Sequence, residues 1–78
     1  MSTLEKISQL MSHISQQPIE SVTEKKPLED YVLESLQAVE FLASIEKDFG
    51  VPIALGDLFK CKNLGDVCAF VDKKQKRK

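Results

Sequence analysis

Leu4, Ile7, Leu10, Met11 and Ile14 recur at spacings of three and four, the period that gathers side chains on one stripe of an α-helix. The same period returns between Ser35 and Phe49, and once more in Leu64, Val67, Cys68 and Val71. A chain of 78 residues carrying three such stripes has to bury them against one another, which confines it to helix-on-helix packing around one small core. Only three glycines and three prolines interrupt the chain and only five residues are aromatic, too few of each for a turn-rich sheet protein. The expected fold class is all-α, a small four-helix bundle with three main helices, one short helix and a long loop between helices one and two.

Punctuation residues set the boundaries. Ser2 with Glu5 three residues later has the form of a capping box, so the first helix is expected over about 3–16, with Pro18 as its stop. Residues 18–34 show no sustained helical period and contain Pro18 and Pro27, yet Ile19, Val22, Leu28, Tyr31 and Leu33 are scattered through them. This stretch reads as a long loop pinned by apolar anchors, and connections of this length in so small a domain tend to be functional or flexible. The second helix is expected from Ser35 to about Phe49, ended by Gly50 and Pro52. On a helical wheel Ala38, Phe41, Leu42, Ile45 and Phe49 share one face, whereas Leu36, Val39 and Ala43 widen the apolar arc beyond it. One edge of this helix is therefore expected to be apolar and exposed. A short turn of helix is expected within Leu55–Lys60, and Asn63 with Asp66 forms an N-cap pair opening a last helix from 64 to about 73.

Charge and composition narrow the function classes. The net charge of −1 hides an asymmetry, because residues 73–78 hold five positive charges while residues 1–72 carry six basic against twelve acidic groups, a net −6. The expected organisation is one folded domain over 1–72 and a basic tail over 73–78, read as disordered and solvated. An acidic body repels phosphate, and no helix shows a basic face, so nucleic acid is not an expected partner. Met1 to Leu10 carries Glu5 and Lys6 and has no continuous apolar run, so it reads as neither signal peptide nor membrane span, and the cytoplasm is the expected location. Cys61, Cys68 and the lone His13 match no zinc or haem spacing, so no metal is expected, and the cysteines read as small buried or half-buried thiols. His13 falls on the polar side of its helix with no second base to form a nucleophilic relay, so no catalytic residue is expected.

Ser35 stands at the head of the second helix, where a serine is commonly an N-cap whose oxygen accepts a free amide of the first turn. Its context is more specific. Glu29-Asp30-Tyr31-Val32-Leu33-Glu34-Ser35-Leu36 ends the long loop, and an acidic amphipathic helix follows that closes with Glu46-Lys47-Asp48-Phe49. This resembles the acyl carrier protein family, in which an acidic pair, a Leu-Gly-like step and Asp-Ser-Leu lead into a helix ending in Glu-x-x-Phe. Gly50-Val51-Pro52-Ile53, Asp57-Leu58-Phe59 and Asn63-Leu64 are similar to the rest of such a domain, so the resemblance covers residues 3 to 72. Two positions depart from the pattern: the family's Gly falls on Val32 and its Asp on Glu34. Val resists the positive φ that Gly permits, so the loop is expected to approach Ser35 by a different path. Glu34 keeps the charge but carries it one methylene further out.

The resemblance implies that residues 1–72 are a carrier domain and that a phosphopantetheinyl transferase moves a 4'-phosphopantetheine arm from coenzyme A to the Ser35 hydroxyl. Ser35 would then be an anchor, with acyl groups held as thioesters for acyl-transferring, ketosynthase and modifying enzymes of fatty acid, polyketide or related biosynthesis. The chain would be a discrete carrier and a monomer rather than an enzyme. Partners would meet Leu36, Val39 and Ala43 on the second helix, ringed by Glu34, Glu40 and Glu46. A long acyl chain would part the interior near Leu42, Ile45, Val67 and Cys68. Two other readings stand beside this one: a helical interaction module without a carrier role, in which Ser35 is a simple N-cap, and a small nucleic-acid binder using the basic tail.

Overall fold

The computed structural model describes residues 2–31 and 33–75. Among them are four α-helices and no strand: α1 (Thr3–Ser15), α2 (Ser35–Phe49), α3 (Leu55–Phe59) and α4 (Leu64–Gln75). This is the all-α plan of three main helices and one short one. The connection from α1 to α2 contains two single turns of 3₁₀ helix, Ile19–Ser21 and Leu28–Tyr31, which the hydrophobic period does not announce. Val32, where a different loop path was expected, and residues 76–78 of the expected tail lie outside the described residues. The tail expected from residue 73 overlaps α4, which runs on through Lys73 and Lys74 to Gln75.

The helix ends follow from local chemistry. Ser2 Oγ accepts the Glu5 amide at 3.1 Å while Glu5 Oε1 accepts the Ser2 amide at 3.2 Å, the reciprocal box expected for α1. That bonding holds the exposed Glu5 carboxyl below the usual carboxylate range. Before Pro18 is reached, α1 already ends through Gln16, whose backbone turns left-handed at φ 58°. Gly50 does the same for α2 at φ 68°, where the absence of a Cβ makes the conformation inexpensive. Asn63 Oδ1 accepts the Asp66 amide at 3.0 Å and opens α4 as expected, but the Asp66 carboxylate turns to the Lys62 amide, at 2.8 Å.

Two side-chain bonds set the relative direction of the helices. Thr3 Oγ1 donates to Asp72 Oδ1 at 2.8 Å, so the start of α1 meets the end of α4. Gln37 Nε2 donates to the Ile14 carbonyl at 2.8 Å, so the end of α1 meets the start of α2. α1 is therefore antiparallel to both neighbours, and α2 and α4 run the same way. Their C-termini lie together, where Gln75 Nε2 reaches the Phe49 carbonyl at 3.2 Å.

The core is built from the expected stripes. Ile7 and Met11 of α1 meet Phe41, Leu42 and Ile45 of α2 and Leu64, Val67 and Val71 of α4, all buried. Leu4, Leu10, Ile14, Ala38 and Phe49 are half-buried around them. Val51 and Ile53 follow α2 into the same core, and Leu58 is the buried residue of α3. Of the expected loop anchors, Val22 and Tyr31 are buried and Leu28 and Leu33 are half-buried. Ile19 is not an anchor: it sits in the first 3₁₀ turn, 45% exposed.

Candidate functional site

Polar cross-links shape the long loop before it reaches α2. Lys26 Nζ donates to Gln17 Oε1 at 3.2 Å and to the Ser21 carbonyl at 3.3 Å while lying 4.6 Å above the centre of the Tyr31 ring. Tyr31 in turn donates its hydroxyl to the Thr23 carbonyl at 3.3 Å. The far side of the loop is stitched to the start of α4. The Leu28 amide donates to the Lys62 carbonyl at 2.9 Å and the Gly65 amide to the Glu24 carbonyl at 3.2 Å. A Cβ on Gly65 would stand 3.0 Å from the Glu24 side chain and 3.1 Å from Asn63 Oδ1, so a larger residue there would have to push these side chains aside by a few tenths of an ångström.

Ser35 is the first residue of α2 and is exposed. The residue in the N-cap position is Glu34, with extended backbone (φ −77°, ψ 164°), so Ser35 is not the simple N-cap of the rival reading, and α2 opens at Ser35 as expected. The reason lies three residues on. Gln37 Oε1 reaches back and accepts the Glu34 amide at 2.9 Å, which starts the helix at Ser35 without engaging its hydroxyl. The first bond of the helix runs from the Ala38 amide to the Glu34 carbonyl at 2.9 Å. The amides of the preceding turn thus have no partner within the helix, and they point with the positive end of the α2 dipole toward the Ser35 side.

The other expected site residues lie along the outer side of α2. Leu36 is 70% exposed and Val39 51% exposed, and Ala43, Glu34, Glu40 and Glu46 are exposed as well. The structure thus leaves this apolar edge and its acidic rim uncovered on one helix with Ser35 at its head. Phe59 of α3 is a further exposed apolar side chain, 76% accessible, that the period analysis did not single out. Its segment is one turn long, too short for a periodic signal.

A cleft of about 770 Å³ opens between the loop, α2 and α3. Leu28 and Leu33 of the loop, Ala38 of α2 and Leu58 and Phe59 of α3 supply its apolar lining, with Cys61 beside them. Leu42, Ile45, Val67 and Cys68, the residues expected to part for cargo, are buried in the core and do not line this cleft. Cys68 is buried and Cys61 half-buried, and both are free thiols. Burial first, then the Asp72 and Glu24 charges, push the Cys68 thiol up to about 11, and burial with Asp66 and Asp57 also raises Cys61. Both are protonated at neutral pH and are poor nucleophiles.

Residues 5–71 match the family model for the phosphopantetheine attachment site. The chain belongs to the acyl carrier protein family. The acyl carrier protein of Thermosynechococcus vestitus is 33% identical over 72 residues, which cover 91% of this chain and 89% of that protein. The acyl carrier protein of Thermotoga maritima is 33% identical over 51 residues, covering 65% of this chain and 63% of that protein. A member of this family bears 4'-phosphopantetheine as a covalent prosthetic group. The head of α2 fits such a group. It offers an exposed hydroxyl for the ester and, in the first turn of a 15-residue helix, amides free for the phosphodiester charge. No helix among the described residues is long and apolar enough to cross a membrane.

Proposed function

We propose that this chain is a discrete carrier that tethers acyl intermediates on 4'-phosphopantetheine attached at Ser35, for fatty acid, polyketide or related biosynthesis. The observation that carries the reading is the Ser35 hydroxyl, exposed at the first position of α2 and relieved of capping by Glu34 and Gln37. The prosthetic group supplies a terminal thiol that holds an acyl chain as a thioester. The protein's own residues anchor and present. Ser35 provides the ester oxygen, and the first-turn amides of α2 offset the phosphodiester charge. The apolar cleft begins two residues before Ser35, at Leu33, and continues three residues after it, at Ala38, so cargo can be screened from water close to the attachment point.

On this reading the chain is not an enzyme, and the chemistry belongs to its partners: a phosphopantetheinyl transferase, then acyl-transferring, ketosynthase and modifying enzymes. They dock on α2 through Leu36, Val39 and Ala43, within the rim of Glu34, Glu40 and Glu46, and the protein works in the cytoplasm as a monomer. The exposed apolar edge supports this, because an uncovered Leu and Val one turn apart beside the site are a surface suited to transient burial. Intact-mass measurement after incubation with coenzyme A and a broad-specificity transferase tests the assignment. One phosphopantetheine mass should appear on the parental protein and none on Ser35→Ala. Modification of the Ala variant, or of Ser44 instead, would overturn it.

A further inference from the structure

The Ser35 hydroxyl has no hydrogen-bond partner among the described residues, so its position depends on the backbone that carries it. That backbone is held at Glu34 from both sides. Its carbonyl accepts the Ala38 amide at 2.9 Å, an ordinary first helical bond, and its amide donates to Gln37 Oε1 at 2.9 Å. The same Gln37 side chain uses its other end to donate from Nε2 to the carbonyl of Ile14 at 2.8 Å, across 23 residues of sequence. Ile14 is the penultimate residue of α1, whose last carbonyls lack acceptor bonds within their own helix. One half-buried amide therefore closes two open helix ends at once and ties the residue next to Ser35 to the end of α1.

Few side chains could do both. The carboxamide carries an acceptor and a donor on one rigid plane, whereas Glu can only accept and Lys can only donate. Asn would present the same groups one methylene short of the reach that spans both helices. We propose that Gln37 is the positioning residue for Ser35, holding the serine in register with α1 so that its hydroxyl meets the transferase in a reactive pose. The inference rests on Ser35 as the attachment residue. Gln37 contacts neither the arm nor the reacting atoms in this role and acts only through the Glu34 amide.

The roles of positioning and docking separate in the kinetics of modification. Loss of positioning lowers turnover, whereas loss of a docking contact raises the carrier concentration needed. With full-length chain, coenzyme A and transferase, Gln37→Leu should lower kcat about tenfold and leave KM for the carrier within about twofold. Gln37→Glu keeps the acceptor for the Glu34 amide and loses the donor to Ile14, so its kcat should fall between the two. Amide exchange at Glu34 should quicken in the Leu variant and less in the Glu variant, while thermal unfolding confirms that both are folded at the assay temperature. Parental kcat in folded Gln37→Leu would overturn the proposal, as would a rise in KM alone or a kcat loss no larger than the unfolded fraction. Peptide mapping of the modified parental protein keeps the two failures apart. Label on Ser35 with an unchanged kcat in the variants refutes Gln37 alone, whereas label elsewhere refutes the attachment residue and this proposal with it.

Discussion

Truncating Leu36 should weaken productive encounters with the transferase without unfolding the protein. Leu→Ala removes three carbons, and full burial of those carbons stabilises by about 2.4 kcal/mol at about 0.8 kcal/mol each. Leu36 is 70% exposed, so no more than about 0.7 kcal/mol of that contributes to folding and about 1.7 kcal/mol is left for a docked partner. At about 1.4 kcal/mol per tenfold, Leu36→Ala should lower kcat/KM for modification by roughly 5- to 15-fold, chiefly through KM. Glu40 is exposed on the same helix and contributes through long-range attraction, which salt screens over about 8 Å at physiological strength. Glu40→Lys should therefore slow modification a few-fold in dilute buffer and regain most of the parental rate at 0.5 M salt, whereas the Leu36→Ala defect should persist at both. The assay is the initial rate of mass gain at several carrier concentrations, with circular dichroism to verify folding. Folded variants of both kinds modified at the parental rate in low salt would show that α2 is not the docking surface.

Three further outcomes follow from the geometry. Burial holds Cys68 protonated up to about 11 against an ordinary thiol near 9, and Cys61 and Tyr31 are raised in the same direction. A raised folded-state value means stability is intact below pH 9 and is lost as pH climbs toward 11. The Cys68 contribution, about 1 to 2 kcal/mol after allowing for screening, should be visible as a declining urea midpoint that flattens in Cys68→Ala. Gln16→Gly should relieve the left-handed cap of α1 and add about 0.5 to 1 kcal/mol, raising Tm by several degrees in a thermal scan, and an unchanged or lower Tm would refute the strain. A medium-length acyl chain loaded through Ser35 should raise Tm by a few degrees if about three of its methylenes enter the cleft, and no shift on loading would place the cargo outside.

The bundle was legible because its signals are long and redundant. Each main helix repeats its apolar period over two turns or more, and Ser2, Gly50 and Asn63 mark ends with side chains or conformations that have few substitutes. Even the exposed edge of α2 could be read, since Leu36 and Val39 fall outside an arc that Phe41, Leu42 and Ile45 already fill. Contacts between segments distant in sequence could not. Nothing local tells Gln37 to bond Ile14, or the Leu28 amide to bond the Lys62 carbonyl, because such pairings exist only once the helices have docked. The identity of the cap was hidden for a related reason: Ser is the better cap by type, but Gln37 reaches back to the Glu34 amide, so Glu34 holds the N-cap position while the helix starts at Ser35, where it was expected. The cleft itself was not legible, because its lining comes from the loop, α2 and α3, which are apart in sequence, and no period links Leu28, Leu33, Ala38 and Leu58.

A domain this small has little apolar surface to spare, yet Leu36, Val39 and Phe59 remain exposed. Their exposure is possible because α1 does the work of holding the fold: it packs on both α2 and α4, burying Ile7 and Met11 between them. The loop side is assembled differently, from half-buried Leu28 and Leu33 and from hydrogen bonds through Lys26, Tyr31 and the Leu28 amide. Such bonds contribute about 1 kcal/mol each and exchange readily with water, so this side can open or re-pack at a cost well below that of disturbing the α1 interface. Ser35 stands at the boundary between the two regimes. Gln37 ties the Glu34 backbone beside it to the end of α1, while the cleft is open and the apolar edge of α2 is exposed. With the arm on Ser35 as proposed, that division suits a carrier, because the attachment point keeps one geometry while the surfaces around it are covered and released by the proposed partners.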